Sequence, residues 1–139
     1  MKGIKELIER HEGRVPFAYQ DSMGYWTIGV GHLIDQKKGG RLPEHIIDAL
    51  LEHDIKEHEA RLLRLAPWAK DLDEVRYAVL VDMTFNLGSL VGWPIFLEQV
   101  RTGNYAAAAA NMRATRWASQ VKGRAVRLAK MMETGKWES

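Results

Sequence analysis

Hydrophobic positions along the chain change period at two places. Ile4, Leu7, Ile8 and His11 fall at i, i+3, i+4 and i+7, which predicts a helix over 4–12 that Gly13 stops. Glu12 lies four residues after Ile8, so it borders that stripe at the helix's last turn. Over 15–34 the period becomes two. Phe17 and Tyr19 alternate with Ala18 and Gln20, Ser22-Met23-Gly24 marks a turn, and Trp26, Ile28 and Val30 share a face opposite Tyr25, Thr27 and Gly29. A turn centred at Met23-Gly24 sets Asp21 across from Thr27, on one face of the hairpin. Asp35 to Arg41, DQKKGGR, reads as a polar loop.

From Pro43 onward the pattern is helical. Ile47, Leu51, Ile55 and Leu62 carry a stripe to about residue 65. Asp73 is placed to cap a helix in which Val75, Ala78, Val79 and Met83 repeat, with Gly88 at its end. That helix is apolar on nearly every side, so it is expected at the centre of a helical lobe. Shorter helices are expected near 93–102, 105–114 and 121–134, punctuated by Gly103, Gly123 and Gly135. The run Ala106–Ala110 predicts a close helix–helix contact. The fold class is therefore α+β. It comprises a small β lobe over 13–42, a connecting helix over 43–66, and a helical lobe made of 67–139 together with 1–12.

Composition narrows the function. The chain has 139 residues, 46% hydrophobic and 27% charged, which suits one globular domain. It has no cysteine, so disulfides and thiolate metal sites are excluded. No apolar run approaches the ~20 residues of a membrane span, and the N-terminus lacks the apolar stretch of a signal peptide, so no export signal is expected. Net charge is only +2, yet Arg113, Arg116, Lys122, Arg124, Arg127 and Lys130 follow one another with no acid between them. Such a 113–130 segment would attract an anionic surface such as a cell envelope. A nucleic-acid partner is not expected, because it would explain nothing about residues 10–33. His45, His53 and His58 are spaced by eight and five, which does not stack them on one helix face, so no metal site is expected. Gly29-x-Gly31 lacks the third glycine of a dinucleotide fingerprint, and no cofactor is expected.

Two carboxyl groups near a turn suit glycoside hydrolysis, where one acid protonates the leaving oxygen and the other, ionised, activates water or attacks the sugar. Their surroundings must differ. Glu12 borders an apolar helix face and Asp21 lies at a polar turn, which assigns Glu12 as acid and Asp21 as base. Thr27 would help to hold the water.

The string HEGRVPFAYQDSMGYWTIGVGHL, residues 11–33, resembles the catalytic signature of phage-type lysozymes, glycoside hydrolase family 24. The matching elements are Glu12-Gly13, Tyr19, Asp21, Gly24-Tyr25-Trp26-Thr27-Ile28-Gly29, Gly31 and His32. DEVRYAVLVDMTFNLG resembles that family's central helix, and NYAAAAANMRATRW and GRAVRLAKMMETGKW its C-terminal helices. The resemblance implies a lysozyme-like fold with the active site in a cleft between lobes. It implies hydrolysis of the β-1,4 bond between N-acetylmuramic acid and N-acetylglucosamine in peptidoglycan, with inversion, which needs carboxyl groups about 6.5–9.5 Å apart. It implies catalytic roles for Glu12, Asp21 and Thr27, cleft-lining positions at Leu33 and Phe85, a substrate-facing polar group at Asn111, and at Arg124 a cation approaching the glutamate. Between His32 and the long helix only about ten residues intervene, fewer than in longer members, so a reduced β lobe is expected. The resemblance further implies a monomeric endolysin that waits in the host cytoplasm and then acts on the wall. A non-catalytic wall-binding or virion-structural module of the same fold is the alternative.

Overall fold

The computed structural model describes residues 3–34 and 41–138. The expected 35–41 loop thus lies, but for Arg41, outside the described residues. The chain divides into two compact units, residues 1–49 and 50–139.

In the first unit, α1 (Ile4–Glu12) ends at Gly13, whose N–H reaches Glu9 O at 2.8 Å and whose φ of +79° belongs to the left-handed region that favours glycine. A three-stranded antiparallel sheet follows, in the order β1 (Val15–Gln20), β2 (Trp26–Gly29), β3 (His32–Leu33). The third strand goes beyond the expected hairpin. Two residues of β3 suffice because Val30 and Gly31 make a tight connection that pairs Ile28 with His32 and Thr27 with Leu33.

The register differs from expectation by two residues along β2. Gln20 pairs with Trp26 and Tyr19 with Thr27, so Thr27 faces Tyr19, and Asp21 stands beyond, level with Tyr25. The turn is shorter than a centre at Met23-Gly24 implies, because Asp21 itself closes it: its N–H meets Tyr25 O at 2.8 Å. β2 is the central strand, and Thr27 is flanked on both sides, which leaves it only 4% exposed while Trp26 stays 47% exposed. The polar face of the strand is the covered one.

Helix α2 (Glu44–Leu65) starts where Pro43 O accepts the N–H groups of Ile46 and Ile47, and the boundary between units falls within it. In the second unit a 3-10 turn (Pro67–Asp71) leads to α3 (Glu74–Leu87). Asp73 caps α3 as expected, accepting from Arg76 N at 3.0 Å. Val79, Leu80 and Met83 of α3 are fully buried, in one core with Leu62, Leu90, Phe96, Val100, Met112 and Met132. Around α3 lie α4 (Pro94–Arg101), α5 (Tyr105–Arg113), α6 (Arg116–Val121) and α7 (Gly123–Thr134). The short α6 was not expected; Thr115 caps it by accepting from Ala118 N at 3.2 Å. Ala108 and Ala109 are fully buried, and their small size permits α5 to pack directly on α7.

Arg76 joins three helices. Its Nε and Nη2 donate to Met132 O and Glu133 O, carbonyls of the last turn of α7 that lack helical partners, and its guanidinium lies 3.6 Å from the centre of the Tyr105 ring. Replacing Arg76 by alanine is expected to cost about 2 kcal/mol, since charge-assisted hydrogen bonds are lost and the carbonyl of buried Met132 is orphaned; denaturant unfolding measures it. Tyr77 gives a second test. Burial, followed by its 2.5 Å hydrogen bond to Glu59, pushes its phenol up to about 12. The fold favours the protonated form, so this stabilisation is complete below pH ~10 and is lost as pH rises from ~10 to ~12. Alkaline unfolding curves should show that loss, and Tyr77→Phe should flatten it.

Candidate active site

The first unit brings Glu12, Asp21, Thr27 and Leu33 onto one small scaffold. Glu12 is the final residue of α1, three residues before β1 begins. Its carboxyl group does not simply border an apolar stripe, as the periodicity implied. It lies over the bare α-carbon of Gly31 in the β2–β3 connection, so close that a side chain there would meet Oε2, Cδ and Cγ.

Asp21 is held by its own turn. Its Oδ1 accepts the N–H groups of Met23 and Tyr25, each at 2.9 Å, while Gly24 N donates to Asp21 O at 2.9 Å. Both side-chain bonds fall on Oδ1, which leaves Oδ2 as the oxygen able to meet another donor. Thr27 Oγ1 donates to Tyr25 O at 3.2 Å, so its remaining hydrogen-bonding capacity is as an acceptor. Leu33 pairs with Thr27 from the β3 side.

The second unit carries the other residues of interest, in two separate hollows. Asn111 lines one of about 410 Å³ with Trp93, Pro94, Thr115, Arg116 and Trp117. Its Nδ2 donates to Gln99 Oε1 at 3.2 Å, which orients the amide. Trp93 meets Phe96 and Trp117 edge-on, with centroids 5.5 and 5.7 Å apart. Trp117 Nε1 is anchored on Asn86 Oδ1 at 2.7 Å. Phe96 is 1% exposed and belongs to the core; Trp93 presents the accessible ring. Phe85 and Arg124 line a different, more apolar hollow of about 600 Å³ with Leu51, Ile55, Tyr77, Val81 and Trp137. There Arg124 donates through Nε and Nη2 to Asp82 Oδ1, both at 2.8 Å, and Phe85 stands 4.8 Å from the His58 ring.

On α2, His53 Nε2 lies 3.3 Å from Glu57 Oε1 with Asp54 alongside. One helical turn separates the pair and both side chains are exposed, as in an ordinary surface ion pair. No helix among the described residues is long and apolar enough to cross a membrane. Sequence reasoning gave no role to Asn86 and Asp82, and it placed Gly31 in the signature without a role of its own.

The mixed α+β chain, with Glu12 and Asp21 both carried by its first unit, matches the lysozyme-like class expected from the sequence. Comparison with known proteins agrees. The family model described as phage lysozyme matches residues 9–133, and the chain belongs to that family. It is 28% identical to probable T4-type lysozyme 1 of Dictyostelium discoideum, over 97% of this chain and 96% of that protein. It is 30% identical to an endolysin of Acyrthosiphon pisum secondary endosymbiont phage 1, over 75% of this chain and 70% of that protein. It is also 28% identical to the pre-baseplate central spike protein Gp5 of enterobacteria phage T4, over 98% of this chain but 28% of that protein.

The doubly accepting Oδ1 separates the structural from the chemical role of Asp21. Asparagine retains that oxygen, so Asp21→Asn should unfold close to wild type, whereas Asp21→Ala should lose about 1 kcal/mol from the turn. Thermal and urea unfolding of the two variants measure the difference.

Proposed function

We propose that the protein is an endolysin-type muramidase, cutting the β-1,4 bond between N-acetylmuramic acid and N-acetylglucosamine with inversion. Glu12 donates a proton to the leaving glycosidic oxygen. Asp21, ionised, takes a proton from water as that water attacks the anomeric carbon from the opposite side. Thr27 accepts a hydrogen bond from the same water and restricts its approach. The observation that carries this reading is the division of labour at Asp21: one oxygen is committed to the turn and the other is left for chemistry. Leu33 supplies an apolar contact beside Thr27.

In the second unit, Asn111 and the Trp93 ring offer what an N-acetylated sugar requires, an amide partner and an apolar face. Phe85 and Arg124 are assigned to substrate on family resemblance, and in this structure Arg124 is neutralised by Asp82. The basic 113–130 segment is proposed to hold the enzyme near an anionic envelope, reached from the host cytoplasm at lysis. Arg113 and Lys130 are paired with Glu133 and Glu138, so Arg116, Lys122 and Arg127 are the cations to test for that attraction.

The similarity to a segment of a virion spike protein favours a second reading, a module serving in the virion. Digestion of purified peptidoglycan followed by mass spectrometry separates the possibilities. A muramidase releases reducing N-acetylmuramic acid ends, a transglycosylase leaves anhydro ends, and a binding module releases nothing. Glu12→Gln and Asp21→Asn should each reduce the release at least ~100-fold, as expected for loss of general acid or base catalysis. Undiminished release by either variant would refute the assigned roles.

A further inference from the structure

We infer that Gly31 is a positioning residue for the Glu12 carboxyl group, and that the side chain it lacks is the seat this group occupies. The inference rests on the catalytic reading of Glu12. A β-carbon at position 31 would lie 2.8 Å from Glu12 Oε2, 2.9 Å from Cδ and 3.0 Å from Cγ. Relaxed contacts between such atoms need about 3.5–4.0 Å. All three intruding atoms belong to one side chain, so turning the carboxylate about its own bond would not clear them. The whole Glu12 side chain would have to swing, by roughly 1 Å or more.

The backbone offers little alternative. Gly31 sits in the short connection between β2 and β3, which is closed at its base by the successive pairs Ile28–His32 and Thr27–Leu33. Its φ of +66° adds a second demand for glycine. The other glycines separate these two demands. Gly24, Gly29, Gly88 and Gly103 also have positive φ, and a β-carbon there would meet nothing within 4 Å. They serve the backbone alone. At Gly135, as at Gly31, the neighbour is the far end of a flexible side chain, there the Arg76 guanidinium. At Gly31 it is the proposed proton donor.

Packing against a flat backbone face restricts the carboxyl group from one side without any hydrogen bond that would compete for its proton. A displacement of ~1 Å at a reacting group can cost about 100-fold in rate. The glycine is thus tied to the placement of the acid as well as to the turn.

Gly29→Ala supplies the control, since it carries the same left-handed strain two residues away with open space around it. Gly31→Ala, Gly29→Ala, Glu12→Ala and the Glu12→Ala/Gly31→Ala double variant would be compared by thermal unfolding and by kcat and KM on purified peptidoglycan. Gly31→Ala is expected to lower kcat about 100-fold with KM little changed, and Gly29→Ala much less. Gly31→Ala should also lower Tm more than Gly29→Ala does, and that excess should vanish when Glu12 is alanine, because the obstructed atoms are gone. An equal Tm loss in both backgrounds overturns the contact. Coupling in Tm with a kcat matching that of Gly29→Ala overturns the positioning role. Coupling in Tm with full turnover by Glu12→Ala overturns the catalytic reading and leaves the contact standing.

Discussion

Two backbone N–H groups, those of Met23 and Tyr25, converge on a single oxygen of Asp21, and the geometry of the smaller unit follows from that convergence. The carboxylate satisfies donors that a tight turn would otherwise leave to solvent. Closing the turn at Asp21 sets Gln20 against Trp26 and Tyr19 against Thr27. In a sheet, a slip of one residue exchanges the faces, so this register decides which side chain of β2 is covered. It covers Thr27 and leaves Trp26 half exposed. A residue with a proposed chemical role is thus also the residue that arranges its own neighbour.

The larger unit solves a different problem. Several short helices, none of more than 14 residues after α2, have little stability alone and depend on mutual packing. α3 supplies the apolar centre, and alanines at 108 and 109 permit α5 to approach α7. Arg76 reaches from the start of α3 to the carbonyls that end α7, and the left-handed Gly135 passes beside the guanidinium. The same packing exposes one edge of the aromatic group Trp93–Phe96–Trp117 in the hollow that Asn111 lines. The hollow is therefore a by-product of core geometry, with its polar atoms fixed by Gln99 and Asn86.

Much of this was legible in linear order, for local physical reasons. Helix α1 with its glycine stop, the cap at Asp73 and the end of α3 at Gly88 each depend on residues within one or two turns. Periodicity and capping report such things directly. The signature around Glu12, Asp21 and Thr27 was legible because all three lie within one continuous stretch. The register, α6 and the burial of Phe96 were not. Sheet register depends on which groups close the turn, and a six-residue helix has too few turns to show a period. An aromatic residue looks the same in sequence whether it faces core or solvent.

By itself, then, the amino-acid order determined the α+β class, the positions of most helices and the family to which the chain belongs. It did so because helix period, caps and a dense local motif are short-range properties. Tertiary structure alone decided that Arg124 is spent on Asp82, that Asn111 and Phe85 line different hollows, and that the Glu12 carboxyl group rests on Gly31. The two contacts join residues 42 and 19 positions apart, and the two hollows separate residues that seemed alike. Such distances are set by packing, and packing has no signature in the spacing of one chain.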